Sequence, residues 1–187
     1  MEKITMNPGT LLYPVPAVMV SCGSYEGKAN IITIAWVGTI CSEPPMLSIS
    51  VRPERYSHAL IMDSLEFVVN IPHIDLSFAT DLCGVKSGRE IDKFTAAGLT
   101  KGKGISVSAP IINECPINLE CVVKNTIKLG SHDMFIAEIT AVQGNADIAA
   151  SNGRLDLKGT PLFSYAANEY YRLGESIGQH GFSLEGK

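Results

Sequence analysis

The chain has 187 residues, 45% of them hydrophobic and 18% charged, with a formal net charge of −4. That size and apolarity suit a folded domain with an ordinary core and exclude a disordered chain, and the acid excess excludes a general attraction to nucleic acid or to an anionic membrane. There is no apolar run of about eighteen residues and no basic-then-apolar start, so the expectation is one domain over residues 1–187 in the cytoplasm.

In chain order, the first strand is predicted at 17–22, apolar and rich in β-branched residues. A polar loop with Gly23 and Gly27 turns it into a returning strand at 30–37, which carries Asn30, Thr33, Ala35, Trp36 and Val37 and leads to Gly38 and Thr39. Pro44 and Pro45, which have no backbone donor, close that segment. The next strand alternates: Leu47, Ile49 and Val51 on one face, Ser48, Ser50 and Arg52 on the other. A short helix is predicted at 57–65 with Ser57 as N-cap, then a strand at 66–71 stopped by Pro72.

A second helix is expected at 75–82, capped by Asp75, with Gly84 just past its end. Residues 83–94 read as a charged loop and 98–110 as an exposed connection. A long strand at 118–129 is expected to place Leu119, Cys121, Val123, Ile127 and Leu129 on one face. It turns at Gly130–Ser131–His132–Asp133 and returns at 134–142, and Phe163 and a tyrosine-rich segment follow. About seven strands with few short helices predict a mainly β, antiparallel barrel or sandwich rather than a parallel nucleotide-binding sheet.

Two local chemistries stand out. Ser50, Arg52, Arg55 and Ser57 gather hydroxyls and guanidinium forks where a strand hands over to a helix, which suits an anion. Trp36 beside Gly38 offers a wall for a flat ring and room for close backbone approach. Against these, Gly102-Lys103-Gly104 does not complete a dinucleotide fingerprint, because Val107 stands at the third glycine position. The five cysteines, Cys22, Cys41, Cys83, Cys115 and Cys121, form no C-x-x-C, and no histidine pair has metal-ligand spacing. No metal is expected, and the thiols read as small buried apolar groups.

The ordered pattern Ala29-Asn30-Ile-Ile-Thr33-Ile-Ala-Trp36-x-Gly38, Pro44-Pro45-Met46-x-Ser48-Ile-Ser50-x-Arg52-Pro-x-Arg55, Glu66-Phe-Val-Val-Asn70, Ser87-Gly88-Arg89-x-x-Asp92-Lys93-Phe94 and Gly130-Ser131-His132-Asp133-x-Phe135 resembles the flavin reductase-like family, nearest its flavoredoxin-type branch. The resemblance implies an FMN-binding split β-barrel, antiparallel and Greek-key-like with a few short helices, assembled as a homodimer with the flavin near the subunit interface. It implies that Asn30, Thr33, Ala35, Trp36, Val37, Gly38 and Thr39 lie along the isoalloxazine. Ser50, Arg52, Arg55 and Ser57 would hold the phosphate, helped by Ser87, Arg89 and Lys93. His132 would stand near the reactive face of the flavin, and Phe163 near the ring or the partner subunit. Asp133, next to His132, is expected to raise its pKa by charge attraction.

The function so implied is an FMN-dependent oxidoreductase of the flavin or ferric reductase type, or a flavoredoxin-like electron carrier. NADH, NADPH or a redox partner protein would feed it. The alternatives are a non-catalytic FMN sensor and an oxidase of the pyridoxamine-phosphate type on the same barrel.

Overall fold

The computed structural model describes residues 1–149, 156–157 and 159–184. The elements are β1 (Val15–Pro16), β2 (Val18–Gly23), β3 (Ala29–Ile34), β4 (Val37–Cys41), β5 (Met46–Val51), α1 (Tyr56–Ser64), β6 (Glu66–Ile71), α2 (Ser77–Val85), α3 (Lys93–Ala96), β7 (Lys101–Gly102), β8 (Ile111–Ile112), β9 (Ile117–Leu129), β10 (His132–Gly144), β11 (Phe163–Ala166) and β12 (Glu169–Arg172). Seven strands form one antiparallel sheet in the order β3-β2-β6-β9-β10-β5-β4, and a separate three-stranded sheet runs β1-β11-β12. No helix among the described residues is long and apolar enough to cross a membrane.

The inward residues of this sheet meet in one core: Val20 of β2, Ile32 of β3, Ile49 of β5, Phe67 of β6, Cys121 of β9 and Phe135 of β10. Strands from opposite ends of the sheet share that core, so the sheet is curled on itself. Helix α1 enters the curl through Ile61, which is fully buried. The seam between β3 and β5 is left open, and the functional clefts lie along it. Alternation in β5 is as expected, with Leu47, Ile49 and Val51 buried and the residues between them half-buried.

Several expectations are corrected. The strand from Asn30 stops at Ile34; residues 35–36 bend, and Val37 begins β4, which pairs with β5 instead of continuing β3. Trp36 therefore sits in a corner whose carbonyl accepts from the Ser50 amide. Ser57 is not an N-cap: α1 starts at Tyr56, Arg55 occupies the cap without a side-chain bond, and the Ser57 hydroxyl is taken by Asn30. Asp75 does not cap the next helix either, because the His73 ring accepts from the Asp75 amide above a 3₁₀ turn. α2 runs to Val85 with Gly84 inside it; a Cβ there would lie 3.2 Å from that of Thr33, so the glycine permits close helix–strand packing.

β9 does not keep its apolar residues on one face. Ala137 faces Val123 and Ile136 faces Asn125, leaving Lys124 as an extra residue in a bulge. Beyond it the alternation inverts, so Cys121 and Val123 enter the core while Ile127 and Leu129 are 37% and 53% exposed.

Residues 98–110 are not an exposed connection, since Leu99, Val107 and Ala109 are buried. Leu99 packs with Met19 and Ile31, Val107 and Ala109 pack with Val68, and residues 105–107 are tied down by Glu120, whose side chain is wholly buried. It accepts from the amides of Ile105, Ser106 and Val107, the Ser106 hydroxyl and the Gln143 amide. Burial alone would raise the Glu120 pKa, but the Ile105 and Ser106 amides and Gln143 outweigh it and hold the carboxylate below its usual value of 4.5. Its stabilisation is therefore present above the unfolded pKa and lost as pH falls through the lower folded one. Glu120→Gln is expected to cost about 1–3 kcal/mol at pH 7 in urea unfolding, and the difference from the parent chain should shrink under acid conditions.

Candidate functional site

Two adjoining clefts open along the barrel seam and share Ile32, Arg55 and Gly84. The larger, of ≈ 680 Å³, has Thr33, Ile34, Ala35 and Trp36 along one side. Ser50, Arg52 and His132 stand on a second side, and Asp81, Tyr165, Asn168 and Tyr170 on a third. The smaller, of ≈ 180 Å³, is lined by Asn30, Arg55, Ser57, Lys86, Ser87, Gly88, Arg89 and Lys93, with Glu54 and Tyr56 at its edge.

The inner end of the smaller cleft is built from buried polar groups. Asn30 Nδ2 donates to Ser57 Oγ at 2.8 Å, tying β3 to the first turn of α1. Lys93 is 4% exposed; its Nζ donates to the carbonyls of Ile31 at 2.8 Å and Cys83 at 2.7 Å, and it forms no ion pair among the described residues. Burial lowers its pKa, and Arg55 lowers it further. A buried cation beside a second cation, with carbonyl dipoles as its only partners among the described residues, is an incomplete arrangement that an anion completes. A phosphate fits this donor set, which adds the Ser57 and Ser87 hydroxyls and the cations of Arg55, Lys86 and Arg89.

In the larger cleft Trp36, 36% exposed, presents ring surface to the space. Thr33 is held from below, its hydroxyl bonded to the Thr80 carbonyl. His132 Nδ1 lies 2.9 Å from the Ser131 hydroxyl. The expectation that Asp133 raises the His132 pKa is corrected. Neighbouring strand residues point to opposite faces, and Asp133 turns inward to His58, Oδ2 to Nε2 at 2.8 Å. Burial lowers the His132 pKa below 6.5, and Arg52 and Arg55 lower it further against the opposing pull of Glu54.

The clefts gather Asn30, Thr33, Ala35, Trp36, Ser50, Arg52, Arg55, Ser57, Ser87, Arg89, Lys93 and His132. Arg52 and Ser50 stand with His132 in the larger cleft, apart from Ser57, and Arg52 Nη1 is 3.4 Å from Glu54. Val37, Gly38 and Thr39 lie on β4 and line neither cleft. Phe163 is buried behind the larger one, edge-to-face with Tyr170 at 5.8 Å.

Sequence reading missed Lys86, Tyr56, Asp81, Tyr165, Asn168 and Tyr170. The last three come from the β11–β12 hairpin, whose turn residues Ala167 and Asn168 have φ of 49° and 67°. The signal available was the Asn at that turn, a residue that tolerates the left-handed region. Tyr170 reaches across to Asp81 at 3.3 Å, and burial with that carboxylate pushes its pKa up to about 12.

Cys22, Cys83, Cys115 and Cys121 are buried as expected, whereas Cys41 is only half-buried, its thiol donating to the Glu43 carbonyl; all five are free. Burial pushes Cys22 up to about 12 and Cys83 up to about 11. Among the described residues no group of His, Cys, Asp and Glu is arranged to hold a metal ion.

A curled antiparallel barrel with a cationic pocket opening into an aromatic-walled cleft offers donors for a phosphate and a wall for a flat ring. The chain belongs to the flavin reductase-like family: residues 10–174 match the family described as "Flavin reductase like domain". The flavoredoxin of Desulfovibrio vulgaris (Miyazaki F) superposes with a TM-score of 0.90 at 30% identity, over 98% of this chain and 100% of that one. The flavoredoxin of Methanosarcina acetivorans gives 0.90 at 29% identity, over 99% and 98%. An uncharacterised protein of Archaeoglobus fulgidus is 33% identical over 142 residues, 76% of this chain and 79% of that one.

His132 is expected to titrate below 6.5 and to be neutral at pH 7, with its stabilising neutral form lost as pH falls through that lower value. An NMR titration of the ring protons should show this. Arg52→Ala should move the midpoint upward, since it removes a positive neighbour.

Proposed function

We propose that this protein holds FMN non-covalently, phosphate in the smaller cleft and isoalloxazine in the larger, and works as a flavin reductase or flavoredoxin-like electron carrier. The observation that carries the reading is the convergence of Arg55, Lys86, Arg89 and Lys93 with two serine hydroxyls on one small pocket that opens into the Trp36 cleft. The bound flavin would supply two-electron redox chemistry; the chain supplies position, charge and exclusion of water.

Lys93 and Arg55 fix the anionic end. Asn30 orients the Ser57 hydroxyl. Trp36 supports the ring by stacking surface, and Arg52 places positive charge where added electron density is stabilised. His132, neutral at pH 7, presents Nε2 as a donor when Ser131 donates to Nδ1. That makes it the candidate catalytic group for holding or passing a proton at the flavin face.

The electrons come from NADH, NADPH or a protein donor in the cytoplasm. The protein acts as a homodimer. Supporting this, Met134 pairs with Ile127 on one side and Ser50 on the other, so an apolar strip with Leu129 runs along the outer face up to the cleft residues His132, Ser50 and Trp36. A second copy on that strip would cover the cleft mouth.

Titration of the purified protein with FMN should quench flavin fluorescence with one site per chain. Absence of any effect would sink the reading. Arg55→Ala is expected to weaken FMN about tenfold more than riboflavin, while Arg52→Ala weakens both alike. Equal losses in the first variant would place the phosphate elsewhere. Anaerobic stopped-flow mixing with NADH and NADPH then separates a pyridine-nucleotide reductase from a protein-fed carrier. Ile127→Glu should shift the sedimentation coefficient from dimer toward monomer.

A further inference from the structure

The smaller cleft has two rims. One is formed by residues 54–57, after β5; the other by residues 86–89, after α2. Its inner end is buried, with Asn30, Ser57 and Lys93 all below 5% exposure, whereas Glu54 and Arg89 are exposed at its outer end. Across that outer end Arg89 Nη1 donates to the Glu54 carbonyl at 3.0 Å, and the guanidinium lies 5.5 Å from the centre of the Tyr56 ring. Arg89 thus joins the rims at the solvent side of the pocket.

The base from which Arg89 reaches is itself fixed. A Cβ at Gly88 would lie 2.1 Å from Asn30 Oδ1 and 2.8 Å from Tyr56 Cδ1, so this rim is pressed against the other with no intervening side chain. The turn is closed on itself by the Arg89 amide donating to Ser87 Oγ and by the Glu90 amide donating to the Ser87 carbonyl. The cleft between the rims is small, ≈ 180 Å³ against ≈ 680 Å³ for its neighbour.

We infer that Arg89 selects the mononucleotide form of flavin over the dinucleotide form, by bridging the rims where an adenylate extension would have to leave. This rests on the FMN reading above and adds the residue that enforces the choice of FMN over FAD. A terminal phosphate ends inside the bridge and presents its full charge to Arg55 and Lys93. The corresponding phosphate of FAD carries one ionisable oxygen fewer and continues outward, so the Arg89–Glu54 bond must break to admit it.

The test is equilibrium binding to the full-length, flavin-free chain, followed by fluorescence with FMN, FAD and riboflavin. The parent chain should prefer FMN to FAD by about tenfold or more. Arg89→Ala should tighten FAD and reduce that preference at least about fivefold, while Lys86→Ala, which removes charge from the same rim without touching the bridge, should weaken FMN and FAD together. Equal affinity of the parent chain for FMN and FAD overturns the inference and leaves the flavin reading standing. So does an Arg89→Ala variant that only loses FMN affinity, or a Lys86→Ala variant that shifts the preference as far. Failure of all three flavins to bind removes the flavin reading itself.

Discussion

The arrangement around the site depends on one buried positive charge. Lys93 Nζ is removed from water and held by two backbone carbonyls, one at the middle of β3 and one near the end of α2. Those bonds draw the helix, the strand and α3 to a single point, and no carboxylate among the described residues neutralises them. The energy of taking an ammonium out of water is large, and carbonyl dipoles offset only part of it. A ligand anion would supply the remainder, so binding and local order are coupled: the protein's inner end is most favourable when its pocket is filled.

Much of the barrel was legible because its core strands obey simple periodicity. β5 alternates without interruption, and the β2–β3 hairpin is bounded by glycines. The parts that were not legible are those where tertiary contacts override a local pattern. Nothing in the order Ile34-Ala35-Trp36-Val37 announces a corner, since all four residues suit a strand. The bend exists because β4 finds β5, not β3. Ser57 resembles a cap in sequence, but Asn30, distant along the chain, takes the hydroxyl first. Glu120 sits in an apolar run that looks like an ordinary strand, and its carboxylate instead ties down a loop rich in glycine and serine.

The site was read in the same uneven way. Residues that combine charge with strand or helix position, such as Arg55, Ser87 and Lys93, could be named because their chemistry is local. The placing of Arg52 in the larger cleft alone and of Arg55 in both could not, because it depends on where β5 ends and how Glu54 turns. The third wall of the larger cleft comes from a hairpin that belongs to a different sheet, and only the fold brings its tyrosines to Asp81. The bulge at Lys124 is similarly silent in sequence, yet it decides which side of the hairpin is apolar.

The four buried thiols have a consequence for durability. Peroxide oxidises thiolates far more readily than thiols. Burial holds Cys22 and Cys83 in the protonated state at every physiological pH, although both lie against the residues that build the site. The packing that makes them poor nucleophiles thus lets sulfur fill the core behind the smaller cleft without becoming a point of oxidative wear.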